Sequence, residues 1–144
     1  MLKSRKRLFI VKKNSIFNSL ADKPKYKILS YGTKNKNIIF YVIKRFGGGG
    51  FFSNFLFVLN HLIIADKLRF TPVVDMENFT NFYTEKKSIN NTKNVWEFLF
   101  EKVSRYKLKE VYMSQNVIFT DDLFYKEMST NYKQNTKNLI KVFK

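Results

Sequence analysis

Cysteine is absent from the chain, and histidine occurs once, at His61. A disulfide framework and a thiolate zinc site are therefore excluded, and a multi-histidine metal centre with them. The lack of thiols agrees with a reducing compartment without requiring one. Acids are scarce as well: eleven Asp and Glu stand against 27 Lys and Arg, for a net charge of +16. No apolar run approaches the ~20 residues of a membrane-spanning helix. Leu8 to Val11, set among basic residues, is too short for the core of a signal peptide. Proline appears twice and glycine five times, and four of those glycines are consecutive, Gly47 to Gly50.

What remains is a chain of 144 residues that is 44% apolar and 17% aromatic, enough for one domain with a real core. The positive charge is concentrated at the ends. Residues 1–45 carry thirteen Lys and Arg against Asp22 alone, a net +12, and residues 128–144 carry four Lys and no acid. Between them, residues 46–127 carry ten of each sign. The expected organisation is a basic N-terminal extension over residues 1–36 followed by one folded unit over 37–144. Basic ends of this kind hold an anionic membrane surface, at about 1 kcal/mol per Lys or Arg near it, touch nucleic acid without specificity, or are simply solvated.

The glycine stretch sits between two different periodicities. Before it, Ile38-Ile39-Phe40-Tyr41-Val42-Ile43 is β-branched and aromatic and predicts a buried strand. After it, Phe52, Leu56, Leu59 and Ile63 recur at helical spacing and predict a helix over 52–67 with that stripe on the sheet. Arg69 to Asp75 predicts a second strand ending in a carboxylate. Glycines let a ligand approach the main chain, and the mouth of a helix favours an anion by roughly 0.3–1 kcal/mol. A nucleotide or nucleotide-sugar diphosphate is the natural guest; a tight turn that lets the helix approach its sheet explains the glycines too. The third glycine of a G-x-G-x-x-G pattern is missing, and no Gly-Lys-Ser/Thr follows, so a dinucleotide and ATP are poorly supported.

Further residues belong to the candidate site or to the core. Asn54, Val58, His61 and Ala65 share one helix side, which places the amide in the first turn and the imidazole two turns on. Asp75, at the carboxyl end of the second strand, either holds a sugar hydroxyl or caps the following loop. Asn78 to Tyr83 is an aromatic loop that packs on a sugar, on a base or on the core edge. Trp96, Leu99, Phe100 and Val103 predict a short amphipathic helix within 94–104. A strand is expected at 26–31, a hairpin or final strand within 108–120, and a helix after Asp121-Asp122.

In order, the glycine loop, the helix ending near Ala65, the strand ending Val74-Asp75 and the stretch Trp96-Glu97-x-x-Phe100-x-x-Val103-Ser104 resemble the N-terminal half of α-1,6-fucosyltransferases and bacterial fucosyltransferase-like enzymes. Gly48, Gly50, Phe51 and Asn54 fit that family's Gly-x-Gly-aromatic-Gly-x-Gln loop, with Phe52 departing from its third glycine. Lys102 stands where the family places proline. The resemblance covers residues 40–105. It implies an α/β, Rossmann-like N-terminal lobe of a GT-B-type glycosyltransferase, with a GDP-sugar as donor, a glycan as acceptor and no metal or other cofactor. It implies a nucleotide-sugar site at Gly49, Gly50, Phe51, Ser53 and Asn54, and sugar or acceptor contacts at His61, Asp75, Trp96 and Glu97. The family's basic clamp and catalytic residues belong to a second lobe, so none is assigned here, and this chain alone is expected to be an inactive fragment. The implied setting is surface-polysaccharide synthesis in the cytoplasm, at the inner face of a membrane. A basic module that stacks bases on its aromatics and a non-catalytic interaction domain are the alternatives.

Overall fold

A strand reads as an unbroken apolar run when both faces of its sheet are covered, and Ile38 to Ile43 is such a run. The computed structural model describes residues 5–6, 25–45 and 49–124. Its strands are β1 (Arg5–Lys6), β2 (Lys25–Tyr26), β3 (Leu29–Ser30), β4 (Phe40–Ile43), β5 (Thr71–Val74), β6 (Val117–Phe119) and β7 (Leu123–Phe124), and its α-helices are α1 (Phe51–Leu68) and α2 (Leu108–Val111). The larger sheet runs β1-β3-β6-β4-β5, and β2 pairs with β7 in a separate ribbon. β4 lies between two parallel neighbours, with Tyr41 opposite Pro72 of β5 on one side and Ile118 of β6 on the other. β6 is antiparallel to β3, and β3 to β1. The result is a small mixed α/β domain.

Alternation along β4 divides the core in two. Tyr41 and Ile43 join Val74 and Ile118 beneath α1 and Trp96. Phe40 and Val42 join Val73, Val117 and Phe119 against Val111 of α2 and the partly buried Tyr106 and Tyr112. All four β4 residues are fully buried as a consequence. β5 is the edge strand. Thr71 N–H reaches Ile39 O at 2.8 Å and Asp75 N–H reaches Ile43 O at 2.9 Å, so the nitrogen of Pro72, out of phase with both, faces the open edge.

Residues 25–36, expected to belong to the basic extension, are part of the sheet instead. β2 and β3 occupy the expected 26–31 strand, and Leu29 is buried against Val117. The close approach of this strand to the end of α2 depends on Gly32, the one glycine outside the cluster. Tyr31 and Gly32 both donate their N–H to Ser114 O at 3.1 Å. A Cβ on Gly32 would lie 2.2 Å from the Met113 carbonyl oxygen, which is backbone and cannot swing aside. Gly32→Ala is therefore expected to cost about 2–3 kcal/mol, read as a lower urea midpoint. An unchanged midpoint would show that this contact relaxes freely.

Two expectations about helices change. The stripe Phe52, Leu56, Leu59 and Ile63 is the outer face of α1: Phe52 is 75% exposed and the others are half-buried. Asn54, Val58, His61 and Ala65 face the sheet. Val58 and Ala65 are short enough for close packing, and the buried phenol of Tyr41 needs a polar partner that His61 supplies and leucine cannot. In the second case, the helix expected within 94–104 is only a 3₁₀ turn, Val95–Phe98. The Trp96 indole takes the Glu101 carbonyl at 3.1 Å, an oxygen that a continuing helix would hold for itself. Within 108–120, the short helix α2 and the strand β6 take the place of a hairpin. Asp121-Asp122 close a 3₁₀ turn that leads into β7, and the helix expected beyond lies outside the described residues.

Candidate functional site

Because β4 is flanked by β5, which follows through α1, and by β6, which arrives by a separate route, its carboxyl end is a topological switch point, the place where open α/β sheets form their crevice. Lys44 and Arg45 leave β4 there, and Thr120 and Asp121 leave β6. Lys44 Nζ is 2.9 Å from Asp121 Oδ2 and stands over the rings of Phe79 and Phe119, while Thr120 Oγ1 donates to Lys44 O at 3.1 Å. Arg45 turns the other way, onto α1. Its guanidinium donates to Ser53 O at 2.6 Å and to Ser53 Oγ at 3.0 Å, and lies over Phe57.

The glycine stretch closes this gap, with Gly47 and Gly48 outside the described residues. Gly50 begins α1 with φ −58° and ψ 165°, and no side chain caps the helix. Asn54 N–H makes the first internal bond, to Gly50 O at 3.1 Å. Among the described residues, the amides of Phe51, Phe52 and Ser53 therefore have no acceptor. A Cβ at Gly50 would meet nothing, so nothing within the described fold demands glycine there. At Gly49 a Cβ would come within 2.9 Å of Asn54 Oδ1 and 3.2 Å of Arg45 Nη2. Asn54 explains that crowding: its Nδ2 donates to Gly49 O at 3.1 Å, tying the loop to the helix, while its Oδ1 is buried with no partner.

Beside this first turn opens a cavity of about 400 Å³. Phe51, Phe55, Trp96 and Phe100 form one wall, stacked on one another at 4.4–6.4 Å between ring centroids. Phe82, Tyr83 and Leu99, all exposed, form the rim. The aromatic loop and the Trp96 turn, distant in sequence, thus meet across the cavity.

The expected site residues separate into two groups. Gly49, Gly50, Phe51, Ser53 and Asn54 come together at the start of α1, and Trp96 joins Phe51 and Asn54 at the cavity. Glu97 stands one step behind, with Oε1 accepting from Asn94 Nδ2 at 3.2 Å. His61 is elsewhere, buried between α1 and the sheet, where Nδ1 pairs with Tyr41 OH at 2.7 Å. Burial pushes its pKa down to about 4, with Asp121 opposing and Arg45 assisting, so the ring is neutral near pH 7. Asp75 is fully buried and its oxygens are already engaged. Oδ1 accepts from the amides of Glu77 and Asn78, and Oδ2 from Asn78 Nδ2 and from Tyr112 OH at 2.5 Å. Neither residue is presented to a ligand, and the cap-like reading describes Asp75. Burial first, then the Asp75 charge, drives the Tyr112 phenol far above its ordinary pKa and keeps it a donor.

No family model matches the chain, and no curated protein and no solved structure matches it at a significant level. Among the described residues, no cluster of His, Asp and Glu has the makings of a metal centre.

Arg45 and Asn94 are the residues that sequence reasoning passed over. Arg45 was submerged in the N-terminal charge excess, although a cation between a strand and a glycine loop is a local signal. Asn94 offered no such signal. It is buried, donates to Val74 O at 2.7 Å and accepts from Met76 N–H at 3.1 Å, and so joins the Trp96 turn to the end of β5.

Proposed function

We propose that this domain is the Rossmann-like N-terminal lobe of a GT-B-type glycosyltransferase of the fucosyltransferase-like kind, which works on a GDP-sugar and a glycan acceptor without a metal. The observation that carries the reading is the uncapped first turn of α1 at the carboxyl end of β4, with Gly50 in open space. Amides that lack acceptors and the positive end of an 18-residue helix suit a diphosphate. Arg45, held by Ser53 in the free protein, is within the same turn and can exchange that serine for phosphate oxygens in a bidentate contact. The residues of this chain bind and orient; no proton-transfer or nucleophilic role falls to any of them. The basic ends suit contact with an anionic membrane, in keeping with surface-polysaccharide synthesis at its cytoplasmic face.

The test is a thermal-shift titration with GDP and GDP-fucose against ATP. The two guanosine compounds are expected to raise the melting temperature more than ATP does. Gly50→Asp sharpens the result, because its Cβ meets no atom and aspartate is a good cap. The variant is expected to gain about 0.5–1 kcal/mol of stability while its own carboxylate repels the diphosphate and abolishes the shift. A chain that responds to none of the nucleotides is an inert domain, and the proposal is then wrong.

A further inference from the structure

We infer that the aromatic cavity beside the first turn of α1 is a subsite for one neutral pyranose ring, held by Asn54 and Asn81. Two side-chain amides line it, and each is fixed through one atom and spare in the other. Asn54 gives Nδ2 to Gly49 O and leaves Oδ1 without a partner in a residue that is 7% exposed. Asn81 does the reverse. Its Oδ1 accepts from Tyr83 N–H at 2.9 Å, and its buried Nδ2 has no partner. Turning either amide over would break the bond that fixes it, so the spare atoms are one acceptor and one donor. Buried polar groups are rarely left this way unless something else satisfies them.

The chemistry of the remaining wall selects among guests. The cavity is largely apolar, with Phe51, Trp96 and Phe100 on one side and Phe82 on the rim. A volume of about 400 Å³ falls within the usual range for a small ligand. In a chain of net charge +16, the only charged residue lining it is Glu85. An anion such as a nucleotide phosphate is therefore disfavoured, and an alkyl chain would leave both amide atoms unpaired. A pyranose satisfies all of these conditions at once. Its hydroxyls donate to Asn54 Oδ1 and Glu85 and accept from Asn81 Nδ2, and its C–H face covers aromatic rings. The inference rests on the glycosyltransferase reading only for the role of this sugar, which is a ring of the acceptor glycan; the geometry stands without it.

Trp96 is the single tryptophan of the chain and lines the cavity, so its fluorescence reports on this site alone. Titration with methyl α-L-fucopyranoside, methyl β-D-galactopyranoside and methyl N-acetyl-β-D-glucosaminide is expected to give a saturable change for at least one, with a Kd of about millimolar order. Asn81→Leu is expected to weaken that binding about fivefold, the worth of one hydrogen bond. Phe82→Ala, at a side chain that is 79% exposed and so dispensable for folding, is expected to weaken it by a similar factor. Absence of saturation with every glycoside overturns the inference, as does equal or tighter binding of guanosine or of octanol. A chain that binds glycosides but ignores GDP keeps the subsite and loses the donor reading. One that binds GDP but no glycoside does the opposite.

Discussion

Asp75→Ala is expected to lower stability by about 3 kcal/mol or more and to release the segment that follows β5. The carboxylate collects four hydrogen bonds: two from the Glu77 and Asn78 amides, one from the Asn78 side chain and one from Tyr112 on the far end of α2. Removing the acceptor leaves the Tyr112 phenol and the turn amides without their partner in a fully buried place. Domains of this size hold only about 5–15 kcal/mol in total, so the loss is a large share. Tyr112→Phe removes one bond of the four and is expected to cost about 1–3 kcal/mol. Urea titration of both variants checks the order. If Asp75→Ala melts no earlier than Tyr112→Phe, the carboxylate is not what fastens β5 to α2.

Acid is expected to weaken the domain through His61. In the unfolded chain this imidazole takes up its proton near pH 6.5, whereas in the folded one burial holds the pKa down at about 4. Across that window the unfolded state binds more protons, so stability rises with pH. The contribution is fully present above about pH 6.5 and falls away as the pH drops toward 4, with a ceiling of about 3 kcal/mol. Urea midpoints measured between these limits should decline for the natural chain and stay nearly level for His61→Gln. Parallel slopes in the two proteins would place the acid sensitivity elsewhere.

How far the sequence could be read depends on how far apart the interacting residues lie. The run Ile38 to Ile43, the glycines, the helix and the strand Thr71 to Val74 are contiguous, and each announces itself by period or by punctuation. The face that α1 turns to its sheet was not announced, because apolar residues surround the helix and the choice belongs to Tyr41, twenty residues away from His61. The spacing of Trp96 and Phe100 imitates a helix, yet it reports a stack of rings completed by Phe55 from another element. Asp75 carried two readings of equal force until Tyr112, 37 residues on, decided between them. The cavity is the extreme case, since Asn54, Asn81 and Trp96 come from three segments and no local pattern joins them.

Pro72 has a consequence for molecules that meet each other. A bare sheet edge is a template onto which a neighbour's strand can zip, and β5 is short and apolar enough to invite it. With an imino acid pointing outward at the centre of that edge, one rung of the ladder is missing and an incoming strand cannot stay in register. Crowded copies of this domain are thereby kept from polymerising edge to edge.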